Sequence, residues 1–388
     1  MPAGEQDSPI DAVWTWVSSD ADAGWRAALD AAIAAALPPS GCLERARAAT
    51  GNKFRDHGEL RFSMRSVFAH APWVRTLWVV TADAAQLPAW LDVAHPRIRV
   101  VHHAELFDDA AAQLPTFNSL AIETVLHRIP GLAPRWLYLN NDFMLGRATT
   151  PEVWAPPGAH VELTDFRIAE PKGPCAAVLM KARAREAAPP PPLPAESAAE
   201  AGCRASEAHF YNAQLSRWAW DAPVLTWPAH VPRLFYTRVL EDIAARLAPQ
   251  VAVARRNALR DAQSDVEFHV QHEAYLRAAQ HFGAGQKRVS AADLRKNPDA
   301  YVFVVFDSLK SEAVNEQLYS KLLAALVARP PAFFAIDDDM KGPTTEQIAF
   351  HGRWVRRLMR ALAPDAAPWE LDGGGPSDAV EGLTTLRG

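Results

Sequence analysis

Asn140, Asn141 and Asp142 form a polar triplet directly after the apolar run Trp136–Leu139, and a short apolar patch with Gly146 follows. In an open α/β sheet, ligands bind in the crevice outside the strand carboxyl ends, so a triplet there could do chemistry. The same residue types also make ordinary turns. Asp11 lies inside the apolar segment IDAVWTWV. A carboxylate there must be paired, metal-bound or at a strand edge, because burying it alone is costly. Arg61 and Arg65 are four apart and alike in charge, which an anionic partner would relieve. Two arginines beside a helix amino end would suit a phosphate. Glu123 and His127 are spaced as an i,i+4 polar pair, Arg255–Arg260 form a basic cluster, His230 opens the tripeptide His-Val-Pro, and Asp307 ends the apolar run YVFVVF.

These groups need elements to position them. Ile10–Val17, Thr76–Thr81, Arg97–His102, Trp136–Leu139 and Tyr301–Phe306 read as buried strands. Helices are predicted over Asp22–Leu37, stopped by Pro38-Pro39; over Phe54–Arg65, with Leu60, Met64, Val67 and Phe68 as its stripe; and within Leu114–Arg128, capped by Asn118 or Ser119. Further helices are expected over Ser206–Trp220, Arg233–Leu247, Ser264–Ala279, Ala313–Val327 and Thr345–Leu362. The alternation favours β and α units in a largely parallel sheet. Residues 182–205, rich in proline and alanine, are expected to be a mobile loop.

Composition narrows the function. The net charge of −5 carries no long block of like charge, so no nucleic-acid footprint is present. Cys42, Cys175 and Cys203 are far apart, without metal-ligand spacing, and read as reduced thiols of a cytoplasmic protein. Ala27–Leu37 is the most apolar alanine-rich run and is about half the length of a membrane span. The chain is therefore expected to have no transmembrane segment, although peripheral association with the inner membrane is compatible with it. No P-loop or dinucleotide glycine motif occurs.

Four blocks in this order resemble the Stealth family of bacterial capsular-polysaccharide phosphotransferases and the catalytic subunit of N-acetylglucosamine-1-phosphotransferase. They are IDAVWTWV; FRDHGELRFSMRSVFAHAPWVRTLWVVT continuing through LPTFNSLAIETVLHRIPGL and YLNNDFMLG; HVPRLFYTRVLE with LRDAQSDVEF; and YVFVVFD. The resemblance implies transfer of hexose 1-phosphate from a UDP-sugar, UDP-GlcNAc or a similar hexose, to a glycan hydroxyl. It also implies a divalent cation, Mg²⁺ or Mn²⁺. The fold implied is a three-layer α/β sandwich, glycosyltransferase-A-like or Rossmann-like with a mostly parallel sheet, and with a helical lobe. The core would span residues 10–181 after a flexible 1–9, the lobe with the rest of the core 206–365, and a flexible tail 366–388. A homo-oligomer is compatible with this plan.

By the same resemblance, Asp142, His230 and Arg260 are the expected catalytic group, with His230 as acid or base and Arg260 on the pyrophosphate. Asp142 and Asp307 are the expected metal ligands. Asp11 should border the nucleotide; Asp56, Glu59, Arg61 and Arg65 should contact the donor; Asn118, Ser119 and Glu123 should lie near the sugar, with Asp265 close by. The chain departs from the family pattern at Ser18, at Asn141 in place of an aspartate, at His57 and at Phe306. An ordinary glycosyltransferase that releases UDP, and a non-catalytic nucleotide-sugar binder, are the alternatives.

Overall fold

The computed structural model describes residues 8–17, 23–35, 54–156, 162–167, 207–221, 226–261, 264–278, 288–290, 301–306, 311–338, 340 and 343–371. Segment 182–205 and Asp307 lie outside them. In chain order the strands are β1 Ile10–Thr15, β2 Val74–Thr81, β3 Ile98–His102, β4 Arg135–Asn140, β5 Phe143–Leu145, β6 Glu162–Arg167, β7 Thr226–Pro228, β8 Arg233–Tyr236, β9 Arg288–Ser290, β10 Tyr301–Phe306 and β11 Phe333–Asp338. The helices are α1 Ala23–Ala35, α2 Glu59–His70, α3 His103–Leu106, α4 Ala110–Gln113, α5 Ser119–Glu123, α6 Glu207–Trp220, α7 Thr237–Arg246, α8 Ala248–Ala254, α9 Phe268–Ala278, α10 Glu312–Ala328 and α11 Thr345–Leu362.

The main sheet has the order β3-β2-β1-β4-β8. Its first four strands are parallel and β8 is antiparallel to β4. The chain moves outward from β1 to β2 and β3, then returns to the other side of β1 as β4. That reversal creates a crevice between the carboxyl ends of β1 and β4, the kind of switch point where open sheets bind ligands. The apolar strands are covered on both faces. Trp14, Leu77, Val79, Leu137 and Leu139 join one core, and Val13, Val80, Trp136, Tyr138 and Phe235 join the other. A second sheet, β10-β11-β5, continues from the β4–β5 turn, because Phe143–Leu145 pair antiparallel with Phe333–Ala335.

Several sequence expectations change. Arg233–Leu247 is not one helix: Arg233–Tyr236 forms β8 and the helix starts at Thr237. The alternation of Leu234, Phe235 and Tyr236 fills both cores, and the free edge of β4 supplies the hydrogen bonds. Within Leu114–Arg128 only Ser119–Glu123 is α-helical, and β11 was not expected at all.

The tail expected from residue 366 is packed through residue 371. Trp369 is fully buried, edge-on to Phe68 with ring centroids 5.0 Å apart. Its carbonyl accepts the Asp92 N–H at 2.8 Å, and the Leu371 N–H donates to Trp90 at 2.7 Å. Between them Glu370, with 2% of its side chain exposed, accepts hydrogen bonds from Arg65 Nε at 2.5 Å, Arg65 Nη2 at 2.6 Å and Arg61 Nε at 2.5 Å. The anion that relieves the repulsion of the two arginines in this structure is the chain's own carboxylate.

Burial alone would raise the Glu370 carboxyl. The Arg65 hydrogen bond, the Ala367 N–H and Arg61 outweigh it and hold the group below the ordinary carboxylate range. A depressed carboxyl contributes stability above its unfolded value and loses it as pH falls through the folded one. Glu370→Ala is expected to cost about 3 kcal/mol by leaving two guanidinium groups unpaired. Urea unfolding at neutral pH checks this, and the deficit should shrink below about pH 4.

Candidate active site

Asp142 follows β4 by two residues, and its carbonyl accepts the Ile336 N–H of β11 at 3.2 Å. Across the crevice, β8 runs against β4 with Arg233 beside Tyr138, so the residues preceding β8 arrive over the carboxyl end of β4. His230 is among them. Its Nε2 lies 3.0 Å from Asp142 Oδ2. The ring is edge-on to Phe143 at 4.5 Å and tilted on Phe303 at 5.2 Å, and Tyr301 donates to the His230 carbonyl at 3.3 Å. Both side chains keep partial access to solvent. Asp142 Oδ1 is shielded from solvent yet has no hydrogen-bond partner, which leaves its lone pairs for a cation or a hydroxyl.

A second polar cluster lines the same edge. Glu123, at the end of α5, accepts the Tyr138 hydroxyl at 3.1 Å, and that hydroxyl lies 3.4 Å from Thr15 Oγ1 at the end of β1. The other Glu123 oxygen is 3.1 Å from His269 Nδ1, and His269 Nε2 is 3.2 Å from Glu267. Burial alone would raise Glu123 and lower His269. Their hydrogen bond and mutual attraction win in both cases, so Glu123 sits below and His269 above its ordinary value. Half-buried Arg233 and the outer Arg260 add positive potential at Glu123. Glu123 therefore pairs with His269 instead of His127, which is stacked on Phe268 with a pKa lowered to about 4, chiefly by burial.

Arg260 donates to Ser119 at the amino end of α5 and stands at the surface. The loop that carries it is clipped from beneath. Asp265, fully buried, accepts Asn118 Nδ2 on both oxygens at 3.0 Å, Asn257 Nδ2 at 2.8 Å and the Asp261 N–H at 2.7 Å. Burial pushes Asp265 up to about 6, against the pull of those donors. Asn118 also caps α5 through the Leu120 N–H at 3.0 Å. Asn118 and Asp265 thus place Ser119 and Arg260, and their own polar atoms are occupied by the protein.

Asp11 is elsewhere. It lies at the amino end of β1, the edge opposite the crevice, and is fully buried. Arg75 binds it twice at 2.9 and 2.7 Å, the Thr76 and Ala133 N–H groups donate at 3.2 and 2.9 Å, and Trp78 Nε1 donates at 3.1 Å. With these donors in place it ties strands and loops together instead of bordering a nucleotide. Asp56 and Glu59 turn inward at the start of α2. Asp56 accepts the N–H of Gly58, whose φ of 94° is left-handed, and Glu59 accepts the His57 N–H at 2.5 Å. Burial, then repulsion from Asp56, holds Glu59 well above the carboxylate range. Arg55 grips Asp338 with two bonds of 2.7 Å, and His57 Nε2 stands 3.8 Å from that carboxylate.

Sequence reasoning missed Thr15, Tyr138, Arg233, Glu267 and His269. The available signal was Glu267–Glu273, EFHVQHE, a helical start that is buried on every side although more than half of it is polar. Such a stretch must be internally hydrogen-bonded.

The fold and the crevice define a mixed α/β protein with a largely parallel sheet. At its switch point stand a carboxylate–imidazole pair and an arginine-flanked acidic cluster. Residues 53–160 match the family model described as Stealth protein CR2, conserved region 2. Over those residues the chain carries a Stealth conserved region 2. An exopolysaccharide phosphotransferase of Streptomyces coelicolor is 44% identical over 149 residues, 38% of this chain and 23% of that protein. The capsular polysaccharide phosphotransferase of Neisseria meningitidis serogroup B is 38% identical over 145 residues, 37% of this chain and 36% of that one. The Homo sapiens N-acetylglucosamine-1-phosphotransferase subunits alpha/beta are 44% identical over 103 residues, 26% of this chain and 8% of that precursor. The chain thus spans little more than a third, at most, of these three relatives. Mouse xyloside xylosyltransferase 1, in its apo form, overlaps 84% of this chain and 96% of its own at a TM-score of 0.34 and 10% identity, too distant a likeness to assign a fold or an activity.

The buried Glu123–His269 pair has a pH signature. A histidine with a raised pKa contributes stability below its unfolded value and loses it as pH climbs through the folded one; the lowered glutamate does the reverse. Their joint contribution should be complete between about pH 4.5 and 6.5. Replacing His269 with Gln is expected to cost about 3 kcal/mol in that window and less on either side. Urea midpoints of both proteins across the pH range check this.

Proposed function

We propose that this chain is a sugar-1-phosphate transferase that moves hexose 1-phosphate from a UDP-sugar to a glycan hydroxyl. The observation that carries the reading is the Asp142–His230 pair at the switch point, at the same edge of the sheet as the arginine-flanked Glu123 cluster. The names of the relatives support phosphotransfer as its class.

In this reading His230 donates Nε2–H to Asp142, which leaves the Nδ1 lone pair as the base. The acceptor oxygen attacks the phosphorus bound to the sugar, its proton passes to His230, and the bond from that phosphorus to the UMP oxygen breaks. A phosphodiester forms and UMP leaves. Asp142 stabilises the imidazolium and holds its orientation, as the carboxylate does in other Asp–His pairs. Arg260 stands at the surface end of α5, where it can meet donor phosphate charge.

A divalent cation fits the residues present in one respect. Asp142 Oδ1 is an unpartnered oxygen, although the described residues contain no cluster of three metal-binding side chains. Mg²⁺ commonly accepts one or two protein carboxylates together with substrate phosphates, so Asp142 would hold it. The ion would supply charge neutralisation on the phosphoryl oxygens. In this reading the reaction runs in the cytoplasm, in keeping with three cysteines that are far apart in the sequence. Among the described residues no helix is long and apolar enough to cross a membrane.

Incubation with UDP-GlcNAc, a glycan acceptor and Mg²⁺ should release UMP and give a phosphodiester resonance in phosphorus NMR. His230→Gln and Asp142→Asn should each lower kcat by about 10²–10⁴-fold, as expected for loss of general-base catalysis. UDP as the only nucleotide product would show an ordinary glycosyltransferase, and binding without turnover across many acceptors would show a non-catalytic binder.

A further inference from the structure

The carboxyl half of α11 carries Arg353, Arg356, Arg357 and Arg360, spaced three, one and three apart, so they share one face over about 10 Å of helix. Arg353 and Arg357 are exposed, whereas Arg356 and Arg360 are half-buried. Aromatic rings hold three of them in place: Arg353 lies 5.9 Å over Phe350, Arg357 4.2 Å over Trp354, and Arg360 6.0 Å over Phe62 of α2. Such cation–π contacts restrict the guanidinium groups and so lower the entropy lost when an anion binds. Among the described residues no carboxylate forms a salt bridge with Arg353 or Arg357.

The charge balance here is unusual for a chain of net charge −5. For Arg356 the acidic group in effect is Glu59, a carboxyl that burial holds well above the ordinary range, and near Arg357 the carboxylate of Glu316 is engaged by Trp354 Nε1 at 2.8 Å. Arg353 and Arg360 in turn repel Arg356. Like charges at helical spacing destabilise a helix unless an anion relieves them. A relay of contacts connects the start of the stripe to the β11 strand that holds the Asp142 backbone. A side chain at Gly352 would meet His57 Nδ1 at 2.7 Å, His57 stands against Asp338, and Asp338 lies two residues beyond Ile336, which bonds to the Asp142 carbonyl.

We infer that the arginine face of α11 binds a phosphodiester-linked glycan, holding the anionic chain to which a sugar phosphate is being added. This rests on the proposed reaction, whose product gains one negative charge per linkage, and it adds a surface that the reaction centre does not contain. The fork of each arginine suits the paired oxygens of a phosphodiester. Nucleic acid fits less well, because Phe350 and Trp354 are buried beneath the arginines and offer no free stacking face. An anionic membrane fits less well too, because the exposed apolar residues nearby, Val314, Leu318 and Val327, are on α10 and not on the arginine face.

The test uses the full chain and poly(glycerol phosphate) as a phosphodiester polymer, with polygalacturonate, dextran and phosphatidylserine vesicles for comparison, followed by calorimetry at low salt. Wild type should bind poly(glycerol phosphate) more tightly than the other three. R353Q/R357Q should weaken that binding about tenfold or more while melting at an unchanged temperature. R353K/R357K should restore only part of it, since an ammonium lacks the fork. UMP release with a single-sugar acceptor should be unaffected by the glutamine pair, while turnover on a phosphodiester-linked acceptor should fall. The inference is overturned by absence of polymer binding in wild type, by equal binding in the glutamine pair, by equal binding of polygalacturonate, or by preference for vesicles. Arginine-dependent polymer binding in a protein that releases no UMP would remove the proposed reaction and leave this surface standing. UMP release with arginine-independent binding would do the opposite.

Discussion

The arrangement of the crevice depends on one strand pairing. β8 closes the edge of the main sheet antiparallel to β4, with Arg135 opposite Tyr236 and Tyr138 opposite Arg233. Because a strand's two ends lie at opposite edges of a sheet, this direction alone carries the start of β8, and His230 before it, to the carboxyl end of β4. A parallel β8 would leave His230 at the edge where Asp11 is buried. The pairing is held by more than backbone bonds: Phe235 stacks on Tyr138 at 5.7 Å and meets Trp136 edge-on at 5.1 Å. Aromatic pairs of this kind add about 0.5–1.5 kcal/mol beyond the area they bury. The position of one imidazole is thus stabilised by a cross-strand aromatic cluster.

The buried and half-buried carboxylates divide by what their oxygens already hold. Asp11, Asp265 and Glu370 have their oxygens taken up by protein donors, and each joins segments distant in sequence. Glu123 is shared between Tyr138 and His269. Asp142 alone among these keeps one shielded oxygen with no partner. Burying ions without compensation costs several kcal/mol each, so the first group is explained by structure and the last invites a ligand. The His269 sandwich between Glu123 and Glu267 shows the intermediate case, in which a buried imidazole and a carboxylate each favour the other's charged form next to the crevice.

The matched Stealth region, 53–160, contains α2, β2 to β5, Glu123 and Asp142. It ends well before His230, Arg260 and His269. Part of the crevice therefore comes from the segment that matches the Stealth family model, and part from the described residues between 207 and 278, which fold back upon it. The tertiary contacts that join them run through Asn118–Asp265, Ser119–Arg260, Glu123–His269 and Asp142–His230.

Much was legible from residue order, because buried strands announce themselves as apolar runs and the polar triplet after Trp136–Leu139 marks a carboxyl edge. Alternation of strand and helix was enough to expect a largely parallel sheet. Asn118, Ser119, Glu123, Asp142, His230, Arg260 and Asp265 were all singled out before their contacts were known. The partners were not legible. RLFYTRVLE has apolar spacing that suits a helix, and only the open edge of β4 makes its first four residues a strand. Arg61 and Arg65 have the look of a phosphate site, and only the return of the carboxyl-terminal segment supplies Glu370 in its place. Sequence determines which residues can carry charge and which stretches must be buried, since both follow from local chemistry. Which charges meet each other, and which stay open to a ligand, was decided by packing between segments far apart in the chain, 88 residues for Asp142–His230 and 309 for Arg61–Glu370, where burial penalises every charge left unpaired.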